Sequence, residues 1–315
     1  MRPVKTAVIG VGVQGQRHAE KLVALPASQL VSVIDIDTKR ARFVASGLGV
    51  DTAQDYRDLI GEVSAVVVAT PASTHFDITG TLLESGIHVL LEKPLATTME
   101  EARKLVDLAE SKGLVLQVGH LERFNPVVAV IADQVTQPQF IESNRIARYQ
   151  PRGLDVDVML DLMIHDIDLI QSFVRSPMES VDAVGRSVFS NNIDVANARI
   201  RFVNGCVANV TSSRISLKAE RTLRIFQADS YVSADLQNRT ITSYSKQGDG
   251  PVLGPEDVKI DKQSFNESDA LMEQARAFLN SVACGTAPLV SGRTAMESLE
   301  TATIICDLVR GQTTT

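Results

Sequence analysis

The chain has 315 residues, room for two domains of ordinary size, and its 44% hydrophobic and 22% charged content excludes extensive disorder. A formal net charge of −7 argues against general binding of nucleic acid or of an anionic membrane, but leaves room for a local basic pocket. Cys206, Cys284 and Cys306 stand far apart with no CxxC pair, so reduced thiols in a cytoplasmic protein are expected, with no disulfide frame, no metal site, no signal peptide and no bilayer-spanning segment.

In chain order, Val4–Val11 is a short apolar run ending in glycines and reads as a buried parallel strand. Gln16–Leu25 reads as a helix, Leu30–Asp35 as a strand, Thr38–Gly47 as a helix stopped by Gly47, and Ala65–Ala69 as a strand. His75–Ser85 is predicted helical up to Gly86, and Val89–Leu91 extended. Thr98–Lys112 is predicted helical, with Thr98 as N-cap, Glu101 three residues on and Gly113 at the end, followed by a strand over Leu114–Val118. Strands alternating with helices predict a doubly wound parallel sheet over residues 1–121.

Residues 122–315 follow another rhythm. A helix is expected around Pro126–Asp133 and a long helical run over Val156–Val174. Six β-like segments follow: Val181–Phe189, Ala196–Phe202, Val207–Ile215, Thr222–Gln227, Tyr231–Leu236 and Thr240–Tyr244. The Asn204-Gly205 pair is a hairpin signal, and the run as a whole implies an antiparallel sheet. Gln247–Pro255 reads as a surface loop, and helices over Asp269–Cys284 and Gly292–Arg310 close the chain.

Gly10-Val11-Gly12-Val13-Gln14-Gly15 is a GxGxxG motif between the first strand and the first helix. The first glycine permits the turn, the second admits a pyrophosphate to the backbone, and the third lets helix and strand pack closely. Asp35 ends the second strand 20 residues after Gly15, where a carboxylate meets the adenosine ribose hydroxyls of a dinucleotide. This is the pattern of a Rossmann domain; the competing reading is a glycine turn in a similar fold that binds no dinucleotide. A carboxylate at position 35 repels a 2′-phosphate, which favours NAD over NADP. Asp37 strengthens that preference, while Lys39 and Arg40 soften it.

Two further segments carry chemistry. Glu92-Lys93-Pro94 follows the strand Val89–Leu91, at the sheet edge where ligands sit, and a lysine there can stabilise charge on a reacting oxygen. Taken alone, Lys-Pro also fits a surface loop. In the second segment, at about 100° per residue, Asp157, Asp161, His165 and Asp168 share a stripe only about 80° wide. The remainder is nearly all apolar, so the helix reads as buried, and carboxylates buried there need partners. Asp161 and His165 are four residues apart, which lets the carboxylate orient the ring and make it a better general base. A solvent-facing polar stripe and an acidic metal site remain competing readings, although no second histidine lies nearby.

Together, Gly10–Gly15, Thr70-Pro71 with His75, Glu92-Lys93-Pro94, Arg123-Phe124-Asn125-Pro126 and Asp161 with His165 resemble the Gfo/Idh/MocA family of dehydrogenases, in order and spacing, along nearly the whole chain. The resemblance implies catalysis by Lys93, Asp161 and His165. It implies NAD bound by Gly10, Gly12, Val13, Gln14, Gly15, Asp35, Thr70, Pro71, His75, Glu92 and Lys93. It also implies a C-terminal α+β domain, 122–315, whose open, mainly antiparallel sheet binds substrate and builds a homodimer or homotetramer. Met163 departs from the glycine that many members carry. Within the family, Val118–Pro126 and Leu160–Asp168 resemble the short UDP-N-acetylglucosamine 3-dehydrogenases, which implies a sugar nucleotide as the small-molecule substrate. His165 would then take the proton of a sugar hydroxyl, and activity would rise with pH as the imidazole becomes neutral. His120, Arg123, Asn125 and Arg152 are candidate substrate contacts; for Arg123 and Asn125 a hinge or cap role competes. Arg145, Arg148, Tyr149 and Arg152 either meet a nucleotide diphosphate or form a solvated basic face. His18 is a second histidine near the cofactor, and His88 reads as structural. A dehydrogenase of a free polyol such as inositol, a non-catalytic NAD sensor, and a lyase or hydrolase that recycles its NAD are the alternatives.

Overall fold

The computed structural model describes residues 2–150, 156–248, 250, 252–265 and 268–313. The first stretch runs β1 (Val4–Ile9), α1 (Val13–Ala24), β2 (Ser28–Ile34), α2 (Thr38–Leu48), β3 (Asp51–Thr52), β4 (Ala65–Val68), α3 (His75–Glu84), β5 (His88–Leu91), α4 (Met99–Ser111) and β6 (Leu116–Val118). Then come α5 (Pro126–Gln134), β7 (Phe140–Arg148), a π turn (Met159–Met163) and α6 (Ile164–Val174). Strands β8 (Met178–Arg186), β9 (Val195–Phe202), β10 (Val207–Ser216), β11 (Glu220–Phe226), β12 (Ser230–Asp235), β13 (Thr240–Lys246) and β14 (Val258–Ser264) precede α7 (Ala270–Cys284) and α8 (Gly292–Thr313). Residues group into two compact units: unit 1 is Met1–Phe124 with Asp269–Glu297, and unit 2 is Asn125–Ser268 with Ser298–Thr315. The expected boundary after residue 121 lies three residues before the first break, but the chain also returns to unit 1 for residues 269–297.

Unit 1 holds a six-stranded sheet in the order β3-β2-β1-β4-β5-β6, parallel throughout. Strands β4 and β5 are nearly all apolar and buried, as parallel strands covered on both faces must be. Thr98 accepts from the Glu101 N–H and the Glu101 carboxylate reaches back, so α4 opens with a capping box. Helix α2 runs past Gly47 and stops at Gly49, whose φ of +69° supplies the left-handed cap. Helix α7 belongs here because Ala275, Phe278 and Leu279 join Val8, Leu22, Val33, Val67 and Leu90 in one core, and Lys21 pairs with Asp269 at 2.7 Å.

Unit 2 holds an eight-stranded sheet in the order β14-β13-β12-β11-β7-β10-β9-β8, antiparallel except where β7 and β10 run parallel. Burial alternates strictly along β9, the mark of a sheet with one wet face. The Asn204-Gly205 turn joins β9 to β10, with Gly205 at φ +88°.

The main differences from expectation are two strands and one helix. Strand β7 was not anticipated, because its inward positions are Ile141, Ser143 and Arg145, too polar to print an apolar alternation. Strand β14, with Lys259, Asp261 and Lys262, is a charged edge strand of the kind that resists pairing with other chains. The run expected as one helix over Val156–Val174 is a π turn followed by α6, so the uniform 100° step does not hold across it.

Phe278→Ala is expected to cost about 3–5 kcal/mol and to lower the unfolding transition that NAD stabilises. Scanning calorimetry with and without NAD checks this; a loss confined to a transition indifferent to NAD would contradict the placement of α7 in unit 1.

Candidate active site

In unit 1 the glycine loop is fixed by how closely the backbone approaches itself. A Cβ on Gly15 would lie 1.7 Å from the Gly10 carbonyl oxygen, and one on Gly10, at φ +80°, would lie 2.7 Å from the Ala69 carbonyl oxygen. A Cβ on Gly12 would meet nothing within 4 Å. Gly10 and Gly15 are therefore required by packing, while Gly12 leaves an open cradle at the N-terminus of α1, where unpaired N–H groups suit a pyrophosphate. Val13 is exposed on the first turn and Gln14 follows it. The loop opens into a cavity of about 750 Å³ walled by Gly10, Gly12, Asp35, Tyr56, Thr70 and Pro71. Asp35 accepts from the Val11 N–H at 2.8 Å and the Asp37 N–H at 2.9 Å, which aims its carboxylate at the cavity rim. Arg40 donates to the Val11 carbonyl, so it braces the loop. Tyr56 and the fully exposed Ile36 also line the cavity. Sequence reasoning missed both, and the available signal was a large apolar residue directly after the strand-ending Asp35. These groups fit a dinucleotide.

Glu92, Lys93 and Pro94 follow β5, joined by a cis Lys93-Pro94 bond. The buried His18 ring on α1 donates through Nε2 to Glu92 Oε1 at 2.7 Å. Burial alone would push the Glu92 carboxyl up. The hydrogen bond and charge of His18, with the backbone N–H and charge of Lys93, outweigh it and hold the carboxyl below the usual range. Gly119 makes room for this carboxylate, since a Cβ there would lie 2.9 Å from Glu92 Oε2. His75 is buried, with Nδ1 2.7 Å from the Pro94 carbonyl oxygen and Nε2 3.0 Å from that of Thr70. The ring thus ties the Thr70 loop to the Lys93-Pro94 turn from behind. Glu92 turns one carboxylate oxygen to His18. His88 accepts from the Val115 N–H, the structural role expected of it.

In unit 2, Asp157 and Asp168 part from the expected stripe. Asp157 precedes the π turn, is buried, accepts from the Ile193 N–H at 2.9 Å and pairs with Arg310 at 2.8 Å. Asp168 is buried beside the Ser298 hydroxyl at 3.5 Å. Neither faces solvent, and neither shares a site with Asp161. Asp161, carried on the π turn, and His165, on the first turn of α6, keep partial exposure. Among the described residues no group of three or more His, Cys, Asp or Glu is arranged to hold a metal. Asp161 lies on the wall of a cavity of about 500 Å³ also lined by Arg145, Arg148, Arg214 and Arg221. Two of these arginines are anchored: Arg145 makes a two-pronged pair with buried Asp166 at 2.8 and 3.1 Å, and Arg214 holds buried Asp194 at 3.0 Å.

Among the tentative substrate contacts, Asn125 is buried and caps α5 by accepting from the Val127 N–H at 3.1 Å, while its amide donates to the Leu236 carbonyl. The cap alternative thus describes it. Arg123 reaches the Leu289 carbonyl at 3.5 Å. His120 is buried at the end of β6. Arg152 lies outside the described residues.

Comparison with known proteins gives a consistent result. Residues 4–120 match the model of the oxidoreductase family with NAD-binding Rossmann fold, GFO_IDH_MocA, and residues 128–229 match the GFO/IDH/MocA C-terminal domain. The chain is 37% identical over 281 residues to UDP-N-acetylglucosamine 3-dehydrogenase of Acidithiobacillus ferrooxidans, covering 89% of each chain. A solved structure of that enzyme has a TM-score of 0.92 at 35% identity, covering 99% of both chains. The chain is also 28% identical to scyllo-inositol 2-dehydrogenase (NAD(+)) of Bacillus subtilis, covering 94% of this chain and 91% of that one.

Gly15→Ala is expected to abolish NADH binding in a fluorescence titration, because no small shift relieves a 1.7 Å approach to backbone; wild-type affinity would contradict the cradle. The depressed Glu92 carboxyl contributes stability above the ordinary carboxylate range and loses it as pH falls through the depressed value. His18→Gln removes the charge that depresses it, so acid unfolding followed by circular dichroism is expected to begin at higher pH than in the wild type.

Proposed function

Because the chain belongs to the Gfo/Idh/MocA family and is an NAD-dependent oxidoreductase acting on a CH–OH group of a sugar or sugar nucleotide, we propose that its substrate is a sugar nucleotide such as UDP-N-acetylglucosamine, oxidised at the 3-hydroxyl to a ketone. The similarity to the UDP-N-acetylglucosamine 3-dehydrogenase, along most of both chains, carries this reading. NAD, when bound, supplies the hydride acceptor. His165 takes the hydroxyl proton and Asp161 orients its ring, so that the oxygen can form the carbonyl as the C–H bond breaks. Lys93 stabilises the negative charge that gathers on that oxygen. Gly10, Gly12, Val13, Gln14 and Gly15 receive the pyrophosphate, and Asp35 the adenosine ribose, with Thr70 and Pro71 on the cavity wall. The same reading has the chain working in the cytoplasm as a homodimer or homotetramer built through its eight-stranded sheet. Oxidation of a free polyol is the second reading, favoured by the similarity to the inositol dehydrogenase.

Incubation with NAD and UDP-N-acetylglucosamine is expected to give a product lighter by two hydrogens, detected by mass spectrometry. No such product, with inositol oxidised instead, would overturn the reading. Lys93→Ala is expected to lower kcat by about 10²–10³ and His165→Ala by about 10²–10⁴, each in folded protein that still binds NAD. Wild-type turnover by either variant would remove that residue from the mechanism. Wild-type activity is expected to rise with pH as His165 becomes neutral, and Asp161→Asn to change that profile.

A further inference from the structure

We propose that the unit 2 cavity binds the diphosphate of a nucleotide-linked substrate through Arg148 and Arg221, and that this contact selects a sugar nucleotide over a free polyol. The inference rests on the sugar-nucleotide reading above and names the residues that enforce it.

The chain carries a net charge of −7, yet four guanidiniums surround one cavity of about 500 Å³. Buried carboxylates hold two of them. Arg145 and Asp166 form a buried, two-pronged pair, and Arg214 is fixed by Asp194 and by the Val156 carbonyl at 2.7 Å. These two are rigid wall, held by buried carboxylates. Arg221 is exposed. It stands directly opposite Arg145 in the β7–β11 ladder, so both side chains leave the same face of the sheet. Like charges so placed repel, and here the arrangement is tolerable because Asp166 neutralises Arg145. Arg221 thereby brings a second guanidinium to the cavity, on an exposed position. Arg148 ends β7 on the same cavity. It is exposed, and its side chain makes no hydrogen bond or ion pair with any described residue.

The planar donor forks of two exposed guanidiniums fit the oxygens of the diphosphate that links a nucleoside to its sugar. Gln150 and Gln237 add neutral amide donors to the wall. A free polyol has no anion for these cations, whereas Asp161 on the same wall is the group assigned to the sugar end. The cavity volume lies within the range of small-molecule sites.

Isothermal titration of the full chain with UDP, inorganic pyrophosphate, N-acetylglucosamine 1-phosphate and uridine tests the assignment. UDP and pyrophosphate are expected to bind, and uridine and the monophosphate to bind much more weakly. Arg148→Ala and Arg221→Ala should each weaken UDP about tenfold to a hundredfold, the loss of a charged hydrogen bond. Arg148→Lys should recover part of it, and binding should weaken with salt. In steady-state assays the loss should fall on KM more than on kcat. Arg148 is exposed and its side chain pairs with no described residue, so its variants should melt as the wild type does. UDP affinity unchanged in both alanine variants, or uridine or the monophosphate binding as tightly as UDP, would overturn the proposal. UDP bound through these arginines without oxidation of a sugar nucleotide would uphold it and sink the proposed reaction. Oxidation with UDP affinity untouched by the variants would do the reverse.

Discussion

The backbone of Gly15 rests against the carbonyl of Gly10, and the cofactor half of the molecule is arranged around that approach. A single methyl group there would fall 1.7 Å from an oxygen. The approach seats the start of α1 tightly on the end of β1. That seating turns unpaired N–H groups toward the place where a pyrophosphate belongs. Gly10 makes a second tight approach, to Ala69 at the end of β4, so the loop is pinned between neighbouring strands of the parallel sheet. Asp35 then closes the loop from β2 by accepting from Val11. Three adjacent strands thus converge on one cavity at their carboxyl ends, the position that doubly wound sheets reserve for ligands.

A second tier of contacts positions the Lys93 turn without touching the cavity. His18 comes from α1, the same helix the glycine loop opens, and holds Glu92 next to Lys93. His75 opens α3 and sits between the carbonyls of Thr70 and Pro94. The glycine loop, the Thr70 loop and the Lys93 turn are therefore linked through two buried histidine rings. The charge at Glu92 survives burial because its partner is paired and close. In unit 2 the same economy applies to cations: Asp166 and Asp194 hold Arg145 and Arg214 in place on the wall that also carries Asp161.

The sequence made the local features legible. The glycine spacing, the position of Asp35 and the Thr98 capping box depend on residues near one another in the chain, and their chemistry can be read from short motifs. The alternation of strand and helix disclosed the parallel sheet for the same reason. Other features depend on distant partners. Strand β7 was hidden because its inward Arg145 is satisfied by Asp166, a pairing that no periodicity reveals. The π turn broke the arithmetic that put Asp157 and Asp168 on one stripe with Asp161, and each of the outer two carboxylates found its own buried partner. Helix α7 returns to unit 1 because Ala275, Phe278 and Leu279 complete a core whose remaining buried members come from Val8 to Val115, far earlier in the chain. His75 and Asn125 are motif residues that hydrogen-bond distant backbone groups, at Pro94 and Leu236, which short motifs do not reveal.

The account stands or falls on substrate class. The most direct measurement is kcat/KM from NADH absorbance, with UDP-N-acetylglucosamine, free N-acetylglucosamine and inositol compared side by side under saturating NAD. The account predicts turnover with the sugar nucleotide and little or none with the two free compounds. Efficient oxidation of inositol, with the sugar nucleotide inert, would contradict it.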